Sequence, residues 1–208
     1  MAWFAIASAG LVLLIDHSTA PGVGAVGPPH WPLESAIHAR PDVANLVVVL
    51  HPRCPCSAAT VDELDRLMAS GAERVAAHVV IVEPSGAPAD FADTGLVAAA
   101  ARIPGVEIVR DPDGREAAIF GAVTSGQTFL YSRDGERLFA GGITPGRGHE
   151  GSNAGGAAIL AALDGVAERQ SYTAVFGCSL VDPARSPQRT SIIDRLRSSS
   201  AASWPSRG

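Results

Sequence analysis

Apolar residues fall in short blocks whose period switches between two and about 3.6 along the chain. Asn45 to Leu50 (NLVVVL) is an unbroken, β-branched run, the pattern of a strand covered on both faces. Pro52 ends it. From Ser57 to Met68, Val61, Leu64, Leu67 and Met68 form a helical stripe. Thr60 and Glu63 have capping-box spacing, Asp62, Glu63 and Asp65 put acid near the helix start, and Gly71 closes the segment. Val75 to Val82 is a second buried strand. Asp90 to Arg102 predicts a helix, Val106 to Arg110 a short strand and Arg115 to Phe120 a short helix. Residues 127–132 and 137–141 flank the turn Arg133-Asp134-Gly135-Glu136 as a hairpin, and Asn153 to Leu163 is a helix of small residues. The order β-α-β-α-β-α-β-β-α predicts an α/β domain over residues 42–181, with parallel core strands, a closing antiparallel hairpin and helices on both faces.

The ends read differently. Ala2 to Ile15 is an apolar or small-residue run stopped by Asp16, shorter than the roughly 20 residues of a bilayer-spanning helix. With Ser18-Thr19-Ala20 behind it, residues 1–20 match a secretory signal peptide or signal anchor; a buried first helix is the other reading. Pro21, Pro28, Pro29, Pro32 and Pro41 make residues 21–41 an extended linker. Residues 182–208 carry five arginines against two acids, among seven serines, and predict a disordered tail.

Apolar residues make up 47% of the 208 and charged residues 18%, enough to build a packed core. All 16 basic residues are arginine and the net charge is −5, which argues against a nucleic-acid partner.

The chemistry concentrates in His51-Pro52-Arg53-Cys54-Pro55-Cys56-Ser57, which joins the first strand to the first helix. A thiol at a helix N-terminus faces unpaired backbone N–H groups and the positive end of the dipole, both favouring thiolate, and Arg53 adds a neighbouring cation. Cys54 is the expected nucleophile and Cys56 its first resolving partner. Cys178, in the apolar patch AVFGCSL, reads either as core filler or as a third redox partner. The Gly-rich loop 141–151 carries Arg147 and His149, which either reach the cysteines to steady thiolate and move protons or are solvated on a surface loop. His51 and His78 read as structural.

A strand, a Cys-Pro-containing pair, a helix and a later hairpin with Thr128-Phe129-Leu130 resemble the thioredoxin-like superfamily over about residues 40–165. HPRCPCS with GGITPGRGHEGSNAGG and VFGCSL is similar to exported thioredoxin-fold proteins of the RedB type. The resemblance implies a three-layer sandwich and thiol–disulfide exchange with protein thiols and disulfides, without a cofactor, in an extracytoplasmic compartment and with residues 2–15 as an anchor. Two positions depart from the family. Ser57 stands where its second cysteine usually lies, and Gly126 stands where its cis-proline, which presents backbone to a bound disulfide and keeps metals from the thiols, is found. The second departure opens a copper alternative, with Cu(I) held by Cys54, Cys56 and a third donor, His149 or Cys178. Peroxide reduction ranks lowest, since Leu50 holds the place of the threonine such enzymes use.

Overall fold

The computed structural model describes residues 2–71, 73–166 and 171–180; the expected Ser/Arg-rich tail lies outside them. The elements are α1 (Ala2–Thr19), β1 (Ala44–Leu50), α2 (Ser57–Gly71), β2 (Val75–Glu83), α3 (Gly95–Ala100), β3 (Val106–Pro112), α4 (Arg115–Phe120), β4 (Gln127–Tyr131), β5 (Arg137–Gly141), α5 (Ala154–Leu163) and β6 (Ser171–Tyr172). They form one sheet in the order β3-β2-β1-β4-β5-β6. β1, β2 and β3 run parallel, β4 is antiparallel to both β1 and β5, and β6 adds parallel to β5.

The pleat of β1 sorts the core. Leu46, Val48 and Leu50 face Val61, Leu64 and Met68 of α2 and Ile159 of α5. Val47 and Val49 face Phe120 of α4, together with Phe129 and Tyr131 of β4. Each such side chain taken from water contributes about 1.5–3 kcal/mol, which is why β1 must lie at the centre. The expected α/β arrangement, with helices on both faces, is the observed one.

Three local expectations are corrected. Thr60 is the fourth residue of α2, not its cap. Its partner Glu63 instead accepts hydrogen bonds from the Gly151 N–H (2.6 Å) and from Asn153 Nδ2 (3.3 Å), tying α2 to the loop ahead of α5. The helix expected from Asp90 begins only at Gly95, because the Thr94 hydroxyl accepts the Val97 N–H and caps it there. The third strand runs two residues further than expected, to Pro112.

Residues 21–41 are extended but tied to the body. The Gln127 amide exchanges two bonds with the Ala25 main chain (3.0 and 3.1 Å), and the Pro29 carbonyl accepts the Arg137 N–H (2.9 Å). Trp31 packs edge-on against Phe120 and Tyr131, with centroids 5.4 and 5.3 Å away. This strap supplies cover that the short α4 cannot give alone. α1 leaves Trp3, Phe4, Ile6, Leu13 and Leu14 exposed, so it is not a buried helix of the domain. No helix among the described residues is long and apolar enough to cross a membrane.

Candidate functional site

The carboxyl end of β1 delivers the chain into the cysteine loop. The Cys54 N–H donates to the His51 carbonyl (3.1 Å) and the Ser57 N–H to the Cys54 carbonyl (3.1 Å), so the loop winds directly into α2. Cys54 is buried, at 3% exposure, while Cys56 and Cys178 are half-buried. Cys178 Sγ lies 2.8 Å from Cys54 Sγ, although 124 residues separate them. Both are free thiols, in reach of a bond of roughly 2.05 Å. All three sulfurs lie within 4.8 Å of one another.

Burial alone would raise the Cys54 thiol, but hydrogen bonds from the Cys178 and Ser57 side chains and from the backbone of Cys178 and Cys56 outweigh it and hold the group below its ordinary value. Cys178 is pushed up to about 12, first by burial and then by the hydrogen bond and charge of Cys54. Cys56 is raised by burial and then by the Cys54 charge, with Arg147 pulling the other way. The cluster therefore favours ionisation at Cys54 ahead of its two neighbours.

Arg147 is brought to the thiols. Its Nη1 donates to the Gly177 carbonyl (2.5 Å) and its Nε to the Ala20 carbonyl (3.1 Å), fixing the guanidinium against the Cys178 segment. His149 is not. It is exposed, and its Nδ1 pairs with the Arg147 carbonyl (2.8 Å), so it is Cys178, and not His149, that lies with Cys54 and Cys56. Arg53 also departs from expectation: it lies over the Phe91 ring (4.4 Å) and donates to the Phe91 carbonyl (3.3 Å). His51 is one residue beyond β1 and half-buried, its Nδ1 accepting the Arg53 N–H (3.2 Å), while burial, then Arg53, lowers its pKa. His78 is buried on β2 between Asn45 and Glu107, as a structural residue would be.

Sequence reasoning missed the hydroxyl pair beneath the sulfurs. Ser57 Oγ and Ser125 Oγ are 2.7 Å apart, both buried, and Ser125 Oγ also accepts the His51 N–H (2.8 Å). Ser57 at the usual second-cysteine position was the available signal. Gly126 has φ +92° and donates its N–H to the Val49 carbonyl (2.8 Å). Proline, with φ fixed near −65° and no N–H, could do neither.

No protein-family model matches the chain, and no curated protein does. Among solved structures it is similar to a hypothetical protein from Sinorhizobium meliloti (20% identity, 78% of this chain, 94% of that one, TM-score 0.57). It is similar also to an uncharacterized conserved protein from Geobacillus kaustophilus (17% identity, 80% of this chain, 95% of that one, TM-score 0.57). A secreted Mycobacterium tuberculosis disulfide oxidoreductase homologous to E. coli DsbE matches at 16% identity and TM-score 0.39, over 54% of this chain and 81% of that one. The likeness is one of fold, and the fold is thioredoxin-like.

Proposed function

We propose that this thioredoxin-like chain is a thiol–disulfide oxidoreductase whose redox pair is Cys54 and Cys178. The observation that carries the reading is the 2.8 Å approach of the two sulfurs, one thiol held low and the other high. The Cys54 thiolate attacks one sulfur of a partner disulfide, forming a mixed disulfide and expelling one partner thiolate. Cys178, giving its proton to the departing group, then attacks Cys54 Sγ and expels the second. Two electrons pass to the partner and the chain retains a Cys54–Cys178 disulfide. Cys178 replaces Cys56 as the favoured resolving thiol, because a bond between residues i and i+2 closes a small ring whose strain works against it. Export, with α1 as signal or anchor and protein thiols as partners, belongs to the same reading; the exposed apolar side chains of α1 support it.

The test is the pH dependence of iodoacetamide alkylation at Cys54 in the reduced protein. A thiol held low ionises at lower pH, so labelling rises and reaches its plateau below the range of a free thiol near pH 8.5. A midpoint at or above that range overturns the reading.

A second reading is favoured by the three clustered sulfurs: soft thiolates at Cys54, Cys56 and Cys178 suit Cu(I). Titration against a competing chelator under reducing conditions is expected to show one equivalent retained, lost with Cys178→Ser and kept with His149→Ala. Retention no stronger than by a simple dithiol eliminates it.

A further inference from the structure

Cys178 reaches Cys54 in a particular manner. The Ser125 N–H donates to the Cys178 carbonyl (2.8 Å), and the Leu180 N–H donates to the Val123 carbonyl (2.9 Å). Between them Thr124 and Ser179 form an antiparallel bridge. The stretch Cys178-Ser179-Leu180 is thus a short added strand on the edge that runs into β4. Leu180 packs against the Val47–Phe120 face of the core. It also lines a cavity of about 820 Å³ with His51, Val82, Ala117, Ala122 and Val123. Upstream, Val175 is fully buried and anchors the chain. Two main-chain bonds, the Arg147 Nη1 bond to the Gly177 carbonyl (2.5 Å) and one half-buried side chain hold a cysteine-bearing extended segment against the thiol of Cys54, which is buried with that segment in place. This is strand addition, a mode in which backbone bonds give affinity and alternate side chains give selectivity.

We infer that Gly177–Leu180 is a built-in copy of the substrate, and that the partner is an extended polypeptide bearing a cysteine followed two positions later by an apolar side chain. The inference rests on the exchange reading above. The partner strand takes the Val123–Ser125 edge in place of the chain's own, its apolar residue entering the cavity that Leu180 now borders. Cys54 then attacks the partner's disulfide sulfur; the Cys54–partner disulfide forms as the old one breaks, and the leaving thiolate carries off the electron pair. The internal strand returns afterwards to bring Cys178 onto Cys54.

The experiment uses the full chain carrying Cys178→Ser, reduced, and three probes that each release thionitrobenzoate. They are the peptide Val-Phe-Gly-Cys-Ser-Leu, the same peptide with aspartate for leucine, and glutathione. The first is expected to react at least ~10-fold faster than the others, the rate equivalent of one well-placed apolar contact and its strand pairing. Adding Leu180→Asp, which loosens the internal strand, raises the peptide rate further. Independently of chemistry, titrating the unreactive peptide Val-Phe-Gly-Ser-Ser-Leu into that double variant shifts the Ser125 amide resonance. Equal rates for peptide and glutathione with an unmoved Ser125 amide overturn the inference and leave exchange standing. If no probe reacts faster than with free cysteine, it is the exchange reading that fails, while the amide shift still reports on docking.

Discussion

Serine in place of Cys54 is expected to reduce disulfide exchange to background, a loss on the order of 10³-fold or more, because it removes the one thiol that the site holds below its ordinary pKa. Four hydrogen bonds converge on that sulfur and lower its pKa. Cys178 Sγ sits 2.8 Å away, the Ser57 hydroxyl bonds it, and backbone of Cys56 and Cys178 adds to both. A hydroxyl at the same place has no comparable nucleophilic form at neutral pH. The single-cysteine variants separate the roles of the other two. Cys178→Ser leaves the attack in place but stops the reaction at the mixed disulfide, which accumulates and is read as a mass increment on the intact protein. Cys56→Ser turns over at close to the parent rate. Were Cys56→Ser to trap the adduct and Cys178→Ser to turn over, the Cys-x-Cys pairing that the sequence points to would be the working one.

How much of this was legible in the chain depended on how local each interaction is. β1 is legible because five successive apolar residues, Leu46 to Leu50, have the pattern of a strand covered on both sides, and α5 because a run of small and apolar residues follows Asn153, whose side chain accepts the Gly156 N–H. Periodicity makes α3 too long because it does not reveal that the Thr94 side chain closes the helix start. Glu63 has capping-box spacing but another role for a related reason: its partners, Gly151 and Asn153, lie 88 and 90 residues away, and spacing carries no trace of them. The proline-rich strap reads as a linker because many of its ties are main-chain bonds to Gln127, Tyr131 and Arg137, which composition does not encode. At the site, the place of Cys54 between strand and helix singles it out in the sequence. Proximity along the chain points to Cys56 as its partner. Proximity in space favours Cys178, and only the fold contains that information. The same holds for the donor assigned to copper, where His149 stands in the right loop and turns back onto its own backbone.

The steric situation of Gly177 offers the sharpest test of that long-range contact. A β-carbon there would lie 1.8 Å from the Ser125 carbonyl oxygen and 2.8 Å from its carbon. Both are backbone atoms, so no rotamer change relieves the clash, and Gly177→Ala must push the strand off the edge it pairs with. Val175, fully buried two residues earlier, keeps the displacement local. The Ser125–Cys178 bond lengthens or breaks, and Cys178 Sγ draws away from Cys54. Misplacing a reacting group by about 1 Å can cost ~10²-fold, and formation of the Cys54–Cys178 bond is expected to slow by about that factor. The first attack by Cys54 is spared or quickened, because the segment covering the thiolate has lifted. Stability falls by about 1–3 kcal/mol, the usual cost of overpacking. Acid quenching after addition of oxidised glutathione, followed by mass measurement, resolves the two steps. The variant should show fast appearance and slow disappearance of the glutathione adduct. Gly95→Ala, whose methyl meets nothing within 4 Å, serves as control and should leave both phases as in the parent. If Gly177→Ala closes the internal disulfide at the parent rate, Cys178 does not reach Cys54 along the edge of Val123–Ser125, and the resolving role returns to Cys56.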